Sequence, residues 1–378
     1  MEHKLSDSFV GQFGNVDDPR RQAGMRYPLL EIIFIAICAI IAGCDDWVAI
    51  ERFGKAKIRW FKLYLPLKHG IPSHDTFGKV FAALDAEQFE EAFINWMKMV
   101  STISGVVALD GKTIRRSFDK ATGQAAIHMV TAWSHANRLI MGQVKVADKS
   151  NEITALPKLI QLLTVKGCLV TIDAMGTQTT IADLIIEQGG DYILSVKLNQ
   201  KHLYEDISHL FKHATEGNFE QEQFDQDKTT EKGHGRIEVR NCQVVTHPDW
   251  LDYLRGRHNW RELKAVIKIC RTRKRTKKKQ QTETCYYLCS RQITARDALD
   301  AVRAHWGVEN NVHWMLDVIF QEDMSRVRTK NAQQNLALMR RIAINLLNCE
   351  TSRKDSMKGK RQLAGWDESY LEKVIFSN

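Results

Sequence analysis

Four stretches with apolar residues spaced three and four apart fill the first hundred positions. "YPLLEIIFIAICAIIAG" (27–43), "DWVAIERFGKAKIRWFKLYL" (46–65), "SHDTFGKVFAALD" (73–85) and "DAEQFEEAFINWMKMV" (85–100) each predict an α-helix. Ser73 and Asp85 stand where N-caps belong. The segment from Leu29 to Gly43 is the most apolar in the chain, yet it carries Glu31 and falls short of the roughly 20 residues a bilayer requires. It predicts a buried helix. Residues 1–103 are therefore expected to form an all-helical N-terminal domain. The short helices meeting at Leu84 and Asp85 suit either a DNA-binding unit or a ligand-free bundle.

From 106 the pattern changes. "VVALDG", "AIHMVTAWSH" and "RLIMGQVKVA" predict three strands, the last two joined by a turn at 135–137. A helix in "TALPKLIQLL", a buried strand in "CLVTIDAMG", a helix closing in glycines in "TTIADLIIEQGG" and a strand in "DYILSVK" follow. Antiparallel neighbours beside strands that alternate with helices imply a mixed sheet and an α/β class. After a helix near 202–214, "RIEVRNCQVVT", "LKAVIKICRTR" and "TCYYLCS" alternate as strands, so a β-rich insertion is expected over about 215–292. Helical spacing returns from Ala295 to about 349. A catalytic domain over 104–350 and a basic, partly ordered tail over 351–378 complete the expected organisation.

Composition narrows the class. With 378 residues, 44% hydrophobic, 6 prolines and 22 glycines, the chain has a core and little room for linkers. The first 105 residues balance at 12 basic and 13 acidic, so the net charge of +9 arises downstream and favours a polyanion, nucleic acid before membrane. Eight scattered cysteines lack zinc-site spacing and read as core thiols in a reducing cytoplasm. The start, "MEHKLSDSFVGQF", has no secretion-signal order, and no membrane partner is expected.

The chemistry gathers on acids. Asp110 and Asp173 each end a short apolar strand, "VVALD" and "LVTID", and the carboxyl edge of an α/β sheet is where such ends converge. Taken singly, each is also an ordinary turn residue; as a pair they suit a hard cation. Glu309, His313 and Asp317 recur every four residues on a predicted helix, which puts a third acid on one face. Magnesium takes such oxygen ligands, and two ions can serve an in-line displacement at phosphorus.

Basic residues surround these acids. Lys112, Arg115 and Arg116 follow Asp110 and suit flanking phosphates or a solvated turn equally; Lys197 and Asn199 follow the strand "DYILSV" and are expected at the DNA backbone near the metal edge. "RTRKRTKKK" supplies Arg271, Arg273, Lys274, Arg275, Lys277, Lys278 and Lys279 as a basic hairpin that would lie along a phosphate backbone.

The blocks "ALDGKTIRRS", "KSNEITALPKLI", "TIDAMGTQ", "GGDYILSVKLNQ", "HGRIEVR" and "HWGVENNVHWMLDVIFQED" together resemble the ISAs1-family transposases, which include the H-repeat-associated proteins, among the DDE transposases. The N-terminal "GIPSHDTFGKVF" is similar to the helical domain preceding their catalytic core. The resemblance covers essentially the whole chain. It implies a ribonuclease H-like core whose triad, here Asp110, Asp173 and Glu309, binds two Mg2+ ions (Mn2+ as a substitute) and cuts and rejoins double-stranded DNA. Asp317 is the rival third acid. Where related transposases carry a Tyr-Arg-Glu-Lys signature, this chain has His305 four before Glu309 and Leu316 seven after. His234 and Arg236 match a family block and are expected at DNA. The resemblance also implies a homodimer on DNA and, in the bacterial cytoplasm, association with the nucleoid. A silent DNA-binding descendant and a nuclease without strand transfer are the competing readings.

Overall fold

The computed structural model describes residues 7–21, 25–118, 125–147, 152–216, 223–233, 236–275 and 278–376. The chain forms two compact units, one of residues 1–103, 111–150 and 309–378, the other of 104–110 and 151–308.

Six helices lead: α1 (Asp7–Phe13), α2 (Leu29–Ile41), α3 (Trp47–Ala56), α4 (Ile58–Phe61), α5 (His74–Ala83) and α6 (Ala86–Val100). Ser73 accepts from the Thr76 amide and Asp85 from those of Glu87 and Gln88, so both expected caps form. The helix expected over 46–65 is divided at Lys57 into α3 and α4. Helix α2 is buried along nearly its whole length; its Glu31 accepts from the Leu67 amide at 3.2 Å, which lets a carboxylate stay inside. No helix among the described residues is long and apolar enough to cross a membrane.

Strands β1 (Val106–Thr113), β2 (His128–Ser134) and β3 (Leu139–Lys145) follow, then α7 (Glu152–Leu162), β4 (Leu169–Ile172), α8 (Thr179–Glu187) and β5 (Asp191–Val196). Next come α9 (Lys201–Thr215), β6 (Phe224–Gly233), β7 (Arg236–Val245), α10 (Pro248–His258), β8 (Ala265–Arg275), β9 (Lys278–Cys289) and α11 (Ala295–His305). The chain ends in α12 (Ala332–Cys349), α13 (Met357–Trp366) and α14 (Glu368–Phe376).

In the second unit the hydrogen-bonded order is β1-β4-β5-β9-β8-β7-β6. The pairs β1/β4 and β4/β5 are parallel, and the other four are antiparallel. Strand β9 joins the expected insertion to the sheet through Ile193↔Cys289 and Ser195↔Tyr287, so β6–β9 extend the same sheet. One face of it is closed by α11: Leu169, Ile193, Ile267, Tyr287 and Cys289 pack with Ala298, Leu299 and Val302. In the first unit β2 and β3 form an antiparallel hairpin with a register shift at Ala132/Trp133. The architecture is the mixed-sheet α/β class that the sequence predicts, led by helices.

Four local readings are corrected. Strand β1 does not stop at Asp110 but runs to Thr113. Residues Glu309–His313 and Met315–Ile319 wind as π-helical turns rather than a regular α-helix. The tail expected to be partly ordered folds into α13 and α14, because Met357, Ala364, Tyr370, Leu371 and Val374 bury themselves and Arg361 donates to the Ile40 carbonyl and to Asp45. Strand β6 and helix α10 have no counterpart in the sequence reading; β6, "FDQDKTTEKG", is polar throughout and stands at the sheet edge.

The cysteines match expectation: Cys38, Cys168, Cys242 and Cys289 are buried and the other four half-buried, all as free thiols. Burial pushes the Cys242 and Cys289 thiols up to about 12, which leaves them inert.

Candidate active site

Strands β1 and β4 run parallel with Leu109 opposite Ile172. Asp110 and Asp173 are the next residue on each strand, and Asp173 keeps an extended backbone (φ −75°, ψ 169°). Side chains alternate along a strand, and parallel neighbours lie about 4.8 Å apart. The two carboxyl groups therefore leave the same face of the sheet side by side. Both residues are half-buried.

The loop after β4 is tied to the loop after β5. Lys197 Nζ lies 2.9 Å from the Asp173 carboxylate, Asn199 donates to the Ala174 carbonyl at 3.1 Å, and Thr177 donates to the Ser195 carbonyl at 2.6 Å. Gln200 donates to the Thr177 carbonyl. Gly176 permits this turn: a Cβ there would sit 2.4 Å from Ile172 Cγ2 and 2.6 Å from Leu156 Cδ1. Two blocks remote in sequence, "TIDAMGTQ" and "SVKLNQ", thus form one rim. Burial alone would raise the Asp173 carboxyl, but the Lys197 bond and the nearby His305 hold it below its ordinary value.

His305, at the end of α11, shares a 3.0 Å hydrogen bond with Thr171 Oγ1, on the strand face that carries Asp173. Burial pushes its imidazole down against the pull of Asp173, and the Thr171 bond braces β4. Arg303 pairs with Glu231, both side chains being half-exposed.

The remaining predicted residues divide sharply. Glu309 belongs to the first unit and is exposed. Asp317 lies 2.6 Å from Lys112 Nζ. Lys112 was expected at a DNA phosphate, and this is corrected: its side chain is 7% exposed, with Glu322 at 3.3 Å and Asp323 at 3.5 Å, so its charge is spent inside. Glu322 also meets the fully buried Arg341 at 2.8 Å; burial would raise this carboxyl, but Arg341 and Lys112 hold it down at about 2. Arg115 and Arg116 remain exposed, Arg115 donating its amide to Asp323. In the basic hairpin, Arg271 pairs with Glu283 at 2.5 Å and Arg273 with Glu238 at 3.3 Å, while Lys274 is exposed. Arg236 lies 3.6 Å from Glu238. His234 and Lys277 fall outside the described residues, and the side chains of Arg275, Lys278 and Lys279 are not described.

The donor set fits a hard cation: paired carboxylates at matching positions of adjacent parallel strands, with the exposed Lys197 ammonium supplying the positive charge at Asp173. Among the described residues no three His, Cys, Asp or Glu side chains are gathered as a complete metal site, so these two acids are a partial ligand set.

Family models match both halves of the chain: a "DDE_Tnp_1-associated" model covers residues 10–97 and a "Transposase DDE domain" model covers 102–346. The chain belongs to the DDE transposase family. It is a DNA transposase, an enzyme acting on DNA, and transposases of this family generally use divalent metal ions. A putative transposase YncI of Escherichia coli O157:H7 is 38% identical, over 98% of this chain and 95% of its own length. The H repeat-associated putative transposase YhhI of Escherichia coli K12 is 37% identical over 95% of each. A cryo-EM structure of the piggyBac transposase synaptic complex with hairpin DNA aligns with 99% of this chain and 79% of its own, at 11% identity and a TM-score of 0.46, too distant to support a claim here.

Neither the Thr171–His305 brace of the second unit nor the Lys112–Glu322–Arg341 cluster of the first is legible in the sequence. Their members are far apart in sequence, and no local pattern marks them.

Proposed function

We propose that Asp110, Asp173 and Glu309 hold two Mg2+ ions, for which Mn2+ can substitute, and that this transposase cuts DNA at element ends and joins the freed end to target DNA. The observation that carries this reading is the Leu109↔Ile172 register, which sets Asp110 beside Asp173. Bound there, the ions would activate the attacking oxygen and stabilise the leaving one. In the first step water attacks a phosphodiester phosphorus and the bond to the 3′-oxygen breaks, leaving a 3′-hydroxyl and a 5′-phosphate. In the second that hydroxyl attacks a target phosphodiester and displaces the target's own 3′-oxygen. The chain's part is to orient and neutralise: Asp110 and Asp173 are held by the sheet, and Lys197, Asn199 and Gln200 fix the rim.

Glu309 is preferred to Asp317 as the third acid on a difference in partners. Lys197 beside Asp173 is half exposed and free to swing away, whereas Lys112 beside Asp317 is buried and stays. Helical residues 1–103 followed by a catalytic domain over 104–350 accord with the spans of the two family models. We further propose that the chain works as a homodimer on double-stranded DNA, at the nucleoid in the bacterial cytoplasm, with exposed Arg115, Arg116 and Lys274 at phosphates.

The test is cleavage and strand transfer on inverted repeats flanking the gene. Asp110→Asn, Asp173→Asn and Glu309→Gln each lose at least ~10³-fold, about 4 kcal/mol in barrier, in both steps, while Asp317→Asn does not. Retained strand transfer in Asp110→Asn would overturn the triad.

A further inference from the structure

We propose that a groove of about 850 Å3 in the first unit, lined by the start of α3, by α5 along its length and by residues within 321–332, seats the phosphate backbone of duplex DNA. The inference rests on the reading of the chain as a DNA transposase and adds a surface to it.

The groove's cations are available, and they outnumber its acids by four to three. Lys79, Arg326 and Lys330 line it, all three are exposed, and none has a hydrogen bond or ion pair with another described residue. Arg328 adds a fourth charge, its guanidinium lying 5.5 Å from the centre of the Phe118 ring. On the acidic side Asp45 is engaged by Arg361 at 2.8 Å, the Asp46 carboxylate accepts from the Ala49 amide at 2.8 Å as the cap of α3, and the exposed Asp75 lies 3.6 Å from His74 Nε2. Such a surface offers an anion three exposed cations that need not first leave an ion pair.

The comparison with the basic hairpin is instructive. By sequence, "RTRKRTKKK" is the obvious phosphate contact, but Arg271 and Arg273 are already matched by Glu283 and Glu238. "RVRTK" (326–330) has only three basic residues and reads as an ordinary solvated loop; only folding brings Lys79 to it. Phosphate contacts of this kind position a duplex without reading its bases.

Each phosphate contact contributes about 0.9 to the slope of log K against log salt. The experiment is fluorescence anisotropy of the full chain with a labelled duplex of arbitrary sequence over a salt series. The variants are Lys79→Ala/Arg326→Ala/Lys330→Ala and a control that removes three exposed cations elsewhere, Lys166→Ala/Lys232→Ala/Arg296→Ala. All are surface changes, and circular dichroism checks the fold. The expected result is a slope lower by roughly 2–3 in the groove variant, clearly more than in the control. A groove variant whose slope matches the control while the unaltered chain binds DNA overturns the groove alone. Failure of the unaltered chain to bind any duplex overturns the transposase reading together with it.

Discussion

The same pair of chemical groups, a lysine on an aspartate, occurs in both units with opposite consequences. Lys197 and Asp173 meet at 2.9 Å with side chains 53% and 43% exposed; Lys112 and Asp317 meet at 2.6 Å with Lys112 at 7%. An exposed pair exchanges its partner for water or another cation at little cost, with a worth of about 0–1 kcal/mol. A buried pair is fixed, because separating it strands a charge in a poor solvent. Distance alone would rank Asp317 as the better held acid. Exposure instead makes Asp173 the acid whose partner can leave, as the proposed metal site requires, and makes Lys112 part of the frame.

The largest effect that separates the two is on stability. Lys112→Met leaves Asp317 and the fully buried Glu322 short of a cation, and is expected to cost roughly 3–5 kcal/mol. Lys197→Met is expected to stay within about 1 kcal/mol. Denaturant unfolding of both variants decides it; equal losses would erase the distinction. Adding Asp317→Asn to Lys112→Met removes one stranded charge and should restore part of the loss.

The pH dependence comes next. His313 packs near Lys112 and Arg341, and burial first, then these two charges, push its imidazole down to about 4 from an ordinary 6.5. The unfolded chain therefore binds this proton more tightly than the folded one. Stability is full above about pH 6.5 and falls as pH drops towards 4, by up to about 3 kcal/mol. His313→Gln should flatten that limb in unfolding titrations. Glu322, held at about 2, is depressed in the usual carboxylate sense and adds a further loss only below about pH 4.5.

These two regions were also unequally legible in the sequence. The neighbourhood of Asp173 is built from short-range signals: an apolar strand of four residues, an aspartate, a glycine that must pack against Ile172, and the block "SVKLNQ" on the next parallel strand. Pattern and resemblance together singled out Asp110 and Asp173 as acids and Lys197 and Asn199 as DNA contacts, whereas the structure ties the last two to Asp173 and the Ala174 carbonyl. The Lys112 cluster needs residues from 112, 317, 322 and 341, and a lysine two positions after an acid looks like a surface cation until its burial is known. For the same reason β6 was missed, since an edge strand needs no apolar alternation, and the C-terminal helices were undervalued because their apolar residues are few, although Met357, Ala364, Tyr370, Leu371 and Val374 are buried. The fold class was readable from periodicity, whereas the roles of the charged residues depended on which were covered.

The smallest effect tests the open pair most directly. Lys197 competes with any cation for the Asp173 carboxylate, since both seek the same oxygens. At pH 8, where Asp173 is ionised with or without its lysine, Lys197→Ala removes that competitor and should lower the half-saturating Mg2+ concentration. A surface pair worth about 0–1 kcal/mol corresponds to a change of up to roughly fivefold. Binding is read by titration of the full chain without DNA, so turnover does not enter. A half-saturating concentration that rises instead would mean that Lys197 organises the site rather than occupying it, and the contrast with Lys112 would then lie in degree of burial alone.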